Sequence, residues 1–200
     1  MSAPRTGPVI TLFEAYGAGA ADIGPRLAAC LHVPFIGQRW SSEDLAEQEA
    51  RGRRSPFDWV AGGLGGTGLT GGLAASRADE VRENVRYVLE ATANGAVILG
   101  RNATAILADD PRALHVKLDG DVETRVARAA ASAGIGHEEA ARRQVREDRM
   151  RAELSLLLHN FDPRHADRFD LVVNTSRLSD DLVVEIILAA YTLARPEWSR

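Results

Sequence analysis

Val9-Ile10-Thr11-Leu12-Phe13-Glu14-Ala15-Tyr16-Gly17-Ala18-Gly19-Ala20-Ala21-Asp22-Ile23-Gly24 is the stretch whose reading decides the fold. Val9 to Phe13 is short, apolar and partly β-branched, the composition of a buried strand. Gly17-Ala18-Gly19 then turns the chain. Ile23, Leu27 and Cys30/Leu31 recur at helical spacing, which predicts a helix from about Ala20 to Leu31, with Cys30 as a small buried hydrophobe on it. Small residues at such a strand-to-helix turn let backbone N–H groups approach an anion, and the positive end of the helix lies behind them. The same residues equally suit a tight turn packed with small side chains, so the motif alone leaves both readings open.

Outward from this unit the alternation repeats. Val33 to Ile36 reads as a short strand, and Ser42 to about Arg51 as a helix capped by Ser41 or Ser42. Ala61 to Leu73 carries glycine without periodicity and reads as a mobile loop. A long helix follows from about Ser76 to Thr92, stopped by Asn94-Gly95. Its apolar line, Val81, Val85 and Val88/Leu89, fits packing within the domain or against a second copy as a homodimer. Ala96 to Leu99 and Ala113 to Leu118 read as strands, with a short helix over Ala103 to Leu107 between them. Asp121 caps a helix from Val122 to Ala133, with Asp119 read as a second cap. Gly134-Ile135-Gly136 breaks that helix, and Glu138 to about Leu158 is helical again. Phe169 to Val173 is the last strand, and Ser179 starts a closing helix that ends near Ala194.

Strands alternating with helices predict a three-layer α/β/α domain with a parallel sheet of about five strands and right-handed crossovers. In such sheets ligands sit beyond the carboxyl ends of the strands. That rule gathers Gly17/Gly19, Gly100/Arg101, the loop at Asp119, and Asn174 onto one rim. The whole of residues 1–200 reads as a single domain, with an acceptor-binding, mobile region over about 40–92 and a lid-like helical region over about 134–160.

Composition narrows the function classes. The chain has 200 residues, a net charge of -4 with both signs interspersed, and one cysteine. No basic face for nucleic acid is indicated, and neither a disulfide framework nor a cysteine metal cluster is available within one chain. Met1 to Pro8 holds no basic segment followed by a long apolar run, and no apolar stretch approaches the roughly 20 residues that span a bilayer. These observations lead us to expect a cytoplasmic protein with no membrane partner. The five histidines show no metal-ligand spacing, and no serine sits in a nucleophile elbow.

A working P-loop carries a lysine for the β/γ-phosphates and a hydroxyl for Mg²⁺. The nearest positions here hold Ala20 and Asp22. The ordered set of segments nevertheless resembles the cytidylate-kinase-like P-loop family, a divergent branch of the nucleoside monophosphate kinases. The resemblance runs from Ile10-Thr11-Leu12 through Ile23-Gly24, to Leu99-Gly100-Arg101, and to Ile106 through Pro111 leading into Leu114-His115-Val116. It continues with Glu123-Thr124-Arg125-Val126, Asp148-Arg149-Met150-Arg151, Asn174-Thr175-Ser176 and Leu178-Ser179.

This resemblance implies ATP and Mg²⁺ as cofactors and a small nucleotide such as CMP as acceptor. It implies that the backbone of Gly17, Ala18, Gly19, Ala20, Ala21 and Asp22 holds donor phosphate, with Asp22 toward the metal. Arg101 resembles the arginine that grips an acceptor monophosphate, and Arg149 and Arg151 resemble arginines of a closing lid. The departures are equally specific. Phe13 and Glu14 stand where the family usually has Ser and Arg, Ala18-Gly19-Ala20-Ala21 replaces Ser-Gly-Gly-Arg, and Asn102 replaces the acid that usually follows Arg101. Phosphoryl transfer depends on positioning and charge neutralisation, so the lost cations strike at catalysis itself. Two expectations follow: a kinase, or a catalytically silent nucleotide sensor or protein-interaction module on the same fold. Arg125 and Arg128, one turn apart, read as surface charges.

Overall fold

The computed structural model describes residues 5–38 and 71–198. Five strands form one parallel sheet: β1 (Val9–Glu14), β2 (Phe35–Ile36), β3 (Ala96–Leu99), β4 (Ala113–Asp119) and β5 (Leu171–Asn174), in the spatial order β2-β3-β1-β4-β5. The helices are α1 (Ala20–Leu31), α2 (Gly71–Ala91), α3 (Ala103–Ile106), α4 (Val122–Ala133), α5 (His137–His159) and α6 (Asp180–Ala194), with a 3₁₀ turn at Ala166–Arg168. The expected three-layer α/β/α architecture is what the chain adopts. The expected helix Ser42 to Arg51, and the glycine-rich stretch up to residue 70, lie outside the described residues.

Strand alternation builds the layers. Ile10, Leu12, Leu114, Val116 and Leu118 face one side and pack with Ile23 and Leu27 of α1 and Val183, Ile187 and Tyr191 of α6. Val9, Ile98 and Ala113 face the other side and meet Val88 of α2 and Ala103 and Leu107 at α3. Burying a side chain of this size contributes roughly 1.5–3 kcal/mol, and the period of two delivers these residues to opposite faces without any further instruction. Val88 and Leu89 thus find their partners within the domain.

Several boundaries differ from the sequence reading. α2 begins at Gly71, so Gly71–Leu73 belongs to the helix rather than to a loop. Leu73, Ala74 and Ala75 are strong helix formers, and a propagating helix can carry the glycines at about 1 kcal/mol each. β5 begins at Leu171 because Phe169 packs instead against the rings of Phe13 and Phe161, with centroids 5.8 Å away in each case. β2 shrinks to Phe35–Ile36, since Pro34 has no N–H to offer the ladder. Cys30 is exposed: the buried stripe of α1 is Ala20, Ile23, Gly24, Leu27 and Ala28, and the cysteine falls to the side of it.

All five strands run the same way, so the carboxyl ends of β1, β3, β4 and β5 share one rim. β3 and β4 flank β1 on opposite sides, and the crevice of a doubly wound sheet opens at such a switch point. A cavity of about 290 Å³, lined by Arg5, Asp110, Arg112 and Trp198 among others, lies at the other end, before the start of β4.

Candidate functional site

The loop after β1 is shaped by two left-handed glycines, Gly17 (φ 77°) and Gly19 (φ 91°). A Cβ on Gly17 would stand 2.2 Å from the Arg125 carbonyl oxygen, so the loop lies directly on the backbone of α4. Ala18 and Ala20 are fully buried, while Ala21 and Asp22 are exposed. The anion-seeking amides are nevertheless engaged. Gly19 N–H and Ala20 N–H both donate to Oε1 of Glu14, each at 3.0 Å. Burial pushes the Glu14 carboxyl up from its ordinary value, against the lowering effects of Arg151 and the two amides, and Asp148 adds to the rise.

Cations reach this loop from α4 and α5. Arg125, read from sequence as a surface charge, is only 4% exposed. It donates to the Tyr16 carbonyl (2.7 Å) and the Gly120 carbonyl (3.1 Å) and pairs with Asp148 at 3.1 Å. Asp148 also accepts from Tyr16 N–H at 2.7 Å and from the Gln144 amide at 2.8 Å, which fastens α5 to the loop. Arg128, also read as a surface charge, extends over Gly19: its Nη1 lies 2.6 Å from where a Cβ on that residue would stand. It is held there by donating to the Thr175 carbonyl at 2.9 Å. Asp119 is no helix cap. It accepts from Gly120 N–H and pairs with Lys117 at 2.9 Å, while Asp121 caps α4 through Thr124 N–H at 2.9 Å. Burial opposes the Asp119 charge, but the Lys117 and Gly120 hydrogen bonds hold its carboxyl below the usual range.

The two sequence-marked lid arginines part company. Arg151 turns inward, 17% exposed, bonds Glu147 at 2.9 Å, lies 3.6 Å from Asp148 and acts electrostatically on Glu14. Arg149 turns outward, 72% exposed, and pairs with Glu153 at 2.6 Å. Residues two apart on a helix cannot share a face.

At the end of β3, Gly100, Arg101 and Asn102 all adopt positive φ (70°, 56° and 55°). Left-handed conformations at two successive non-glycine residues carry strain, of a kind that persists only where the surroundings over-determine it. Here Arg101 Nε donates to the Gly37 carbonyl at 2.8 Å, the guanidinium lies 4.6 Å from the centroid of Tyr87, and Asn84 donates to the Arg101 carbonyl at 2.8 Å. Asn102 accepts from Ser155 of α5 at 2.6 Å, a second tie between α5 and the rim.

Gly17 to Ala20, Arg101 and Arg151 thus gather at the rim, whereas Arg149 does not join them. Asp22 sits in the exposed first turn of α1, and among the described residues no group of three or more His, Cys, Asp or Glu could hold a metal ion. Sequence reasoning missed Glu14, Arg125 and Arg128 as loop contacts. One signal was present: Arg125 falls beside Val126 on the apolar side of α4, where a solvated arginine has no place.

Comparisons with known proteins bear on the family and the fold. A cytidylate kinase from Ignicoccus hospitalis is 26% identical over 180 residues, covering 90% of this chain and 96% of the relative. A Corynebacterium glutamicum protein named uronate isomerase is 30% identical over 122 residues, 61% of this chain. The match spans only 24% of that relative's length. Among solved structures, an uncharacterized protein from Eubacterium ventriosum superposes with a TM-score of 0.66 at 16% identity, covering 92% of this chain and 98% of its own. A gluconokinase from Sinorhizobium meliloti gives 0.54 at 16% identity, covering 97% of each chain. At such identities these two likenesses speak for the fold alone. The cytidylate kinase-like family matches residues 9–177, and the chain belongs to that family.

Proposed function

We propose that this chain is a nucleotide-binding protein that receives the phosphates of a donor such as ATP on the amides of the Gly17–Ala21 loop. Phosphoryl transfer to a small nucleotide acceptor such as CMP is the activity that goes with this seat. The observation that carries the reading is the convergence at one rim of two anion-seeking amides, already gripping a carboxylate, with the guanidiniums of Arg128 and Arg151. The carboxylate serves as a stand-in that marks where a phosphate oxygen fits. Arg101 is the residue for the acceptor phosphate, at the end of the neighbouring strand. Asp22 is the carboxylate that would approach Mg²⁺, which commonly binds through one or two carboxylates plus substrate phosphates. Bound there, the metal would neutralise phosphate charge that no lysine neutralises here. The α5 region acts as the lid, tied down through Asp148 and Asn102.

A second reading, a catalytically silent sensor, is favoured by Glu14, which sets a negative charge where a kinase needs a positive one, and by the outward Arg149. A thermal-shift panel separates the two, using ATP, GTP, CMP and other monophosphates with and without Mg²⁺, followed by a coupled assay of ADP formation. Shifts with a triphosphate and one monophosphate, together with ADP release that depends on both, support the kinase. Shifts without turnover support the sensor. A flat panel at millimolar ligand refutes nucleotide binding altogether.

A further inference from the structure

Glu14 places a carboxylate at the position that closes the loop. Position 14 is the last residue of β1, and its carboxylate folds forward over the turn to accept the Gly19 and Ala20 amides at 3.0 Å each. These are the donors a phosphate would use at the start of α1, and one seat cannot hold two anions. The charges that face the carboxylate are Arg151 and Asp148 from α5, with Arg128 of α4 across Gly19. Asp148 is itself fastened to Arg125, so it stays beside the loop as a second negative charge.

We infer that Glu14 is an autoinhibitory latch: its carboxylate occupies the phosphate seat of the empty loop, and a polyphosphate enters only as that side chain leaves or loses its charge. This deepens the nucleotide reading of the loop and rests on it. The latch makes the empty loop self-satisfied, so that neither amide is left unpaired, and it converts donor binding into an exchange of one anion for another. Because burial raises the carboxyl pKa, protonation on acidification removes the charge and weakens the latch, and affinity for an incoming anion rises as pH falls toward the ordinary glutamate range.

The test measures binding of sodium tripolyphosphate and of ATP, with and without Mg²⁺, by calorimetry at pH 8 and pH 5 to the wild-type chain, Glu14→Gln and Glu14→Ala. In parallel, ¹⁵N–¹H spectra follow the Gly19 and Ala20 amides. Glu14→Ala is expected to bind tripolyphosphate at least tenfold tighter than wild type at pH 8, about 1.4 kcal/mol. The gap narrows at pH 5, with Glu14→Ala reporting whatever the ligand's own titration contributes. Glu14→Gln, which keeps an acceptor for the amides but not the charge, falls between. The Gly19 and Ala20 resonances titrate with Glu14 in the wild type and lose that titration in both variants.

Equal affinities of wild type and Glu14→Ala, with binding intact, overturn the latch and leave the nucleotide reading standing. Absence of binding in all three proteins overturns both. Should Glu14→Ala fail to fold, Glu14→Gln and the wild-type amide titration decide: resonances indifferent to pH and to Glu14→Gln show that the carboxylate does not hold the seat.

Discussion

Asp148 joins the loop to α5, and removing it should loosen that junction far more than removing its exposed neighbour. Asp148→Ala deletes the acceptor of three hydrogen bonds: from Tyr16 N–H at 2.7 Å, from Arg125 Nη1 at 3.1 Å and from Gln144 at 2.8 Å. Hydrogen bonds to a charged group are worth about 1.5–3 kcal/mol each when buried. The Asp148 side chain is 25% exposed, so water replaces part of the loss. Arg125 also keeps the Tyr16 and Gly120 carbonyls, with Asp119 at 3.8 Å. A net cost of about 2–4 kcal/mol results. For a chain of this size each kcal/mol moves Tm by roughly 2–4 °C, so thermal unfolding followed by circular dichroism should fall by about 4–16 °C. Hydrogen exchange at Tyr16 to Ala20 and along α5 should quicken more than in β1 or β4. Arg149→Ala, which removes only an exposed pair with Glu153, should stay within about 0.5 kcal/mol of wild type. Equal losses in the two variants, or unchanged exchange at the loop in Asp148→Ala, would refute the reasoning.

Three further outcomes are expected. Arg112 is 1% exposed, forked onto Asp110 (3.0 and 2.8 Å) and bonded to the Thr6 and Ala93 carbonyls. Arg112→Met leaves the buried Asp110 carboxylate with only Arg5 at 3.3 Å and the backbone N–H of residue 112 at 3.1 Å, and should cost about 3 kcal/mol in urea unfolding, with Asp110→Asn/Arg112→Met recovering part of it; a double variant no better than the single one contradicts this account. Burial opposes the Asp110 charge, but the Arg112 bonds prevail and hold its pKa below the usual carboxylate value. The pair's stabilisation is therefore present above pH ~3.8 and lost as pH falls through the folded pKa, so acid titration of Arg112→Met should show its unfolding limb at higher pH than wild type. Gly17→Ala combines a φ of 77° with a Cβ 2.2 Å from a backbone oxygen and should cost well over the roughly 1 kcal/mol expected of Gly134→Ala, whose φ is 63° but whose Cβ meets nothing within 4 Å; paired melts check the order. Arg101→Ala should weaken CMP-class monophosphate binding at least tenfold while lowering Tm of the empty protein only a few degrees, and equal proportional losses would mark Arg101 as a tie for Gly37 and Tyr87 alone.

The strands β1, β3 and β4 were readable because each is a short apolar run whose alternate residues are needed on both faces of a covered sheet. Their ends were less so. Phe169 has the composition of a strand residue, yet ring packing with Phe13 and Phe161 claims it, a contact between residues far apart in the chain. The glycines at 71 and 72 read as loop, but they precede a run of helix formers that extends back over them.

The alternation of strands and helices, the turn at Gly17-Ala18-Gly19, the cap at Asp121 and the gathering of strand ends on one rim were all determined by the sequence itself, because each rests on local periodicity or on a rule about parallel sheets. The same locality shows that Arg149 and Arg151 cannot share a face; which of them turns inward depends on the rotation of α5 against the loop, set by Asp148, Tyr16 and Arg125 from three separate elements. Glu14 was visible as an acid at the end of the first strand, but its destination was not. The carboxylate reaches the Gly19 and Ala20 amides only because Gly17, pressed against the backbone of α4, bends the loop back toward the end of β1. Tertiary packing decided whether those amides face solvent or an internal anion, since hydrogen-bond geometry at that range is a property of the folded loop and not of residue type.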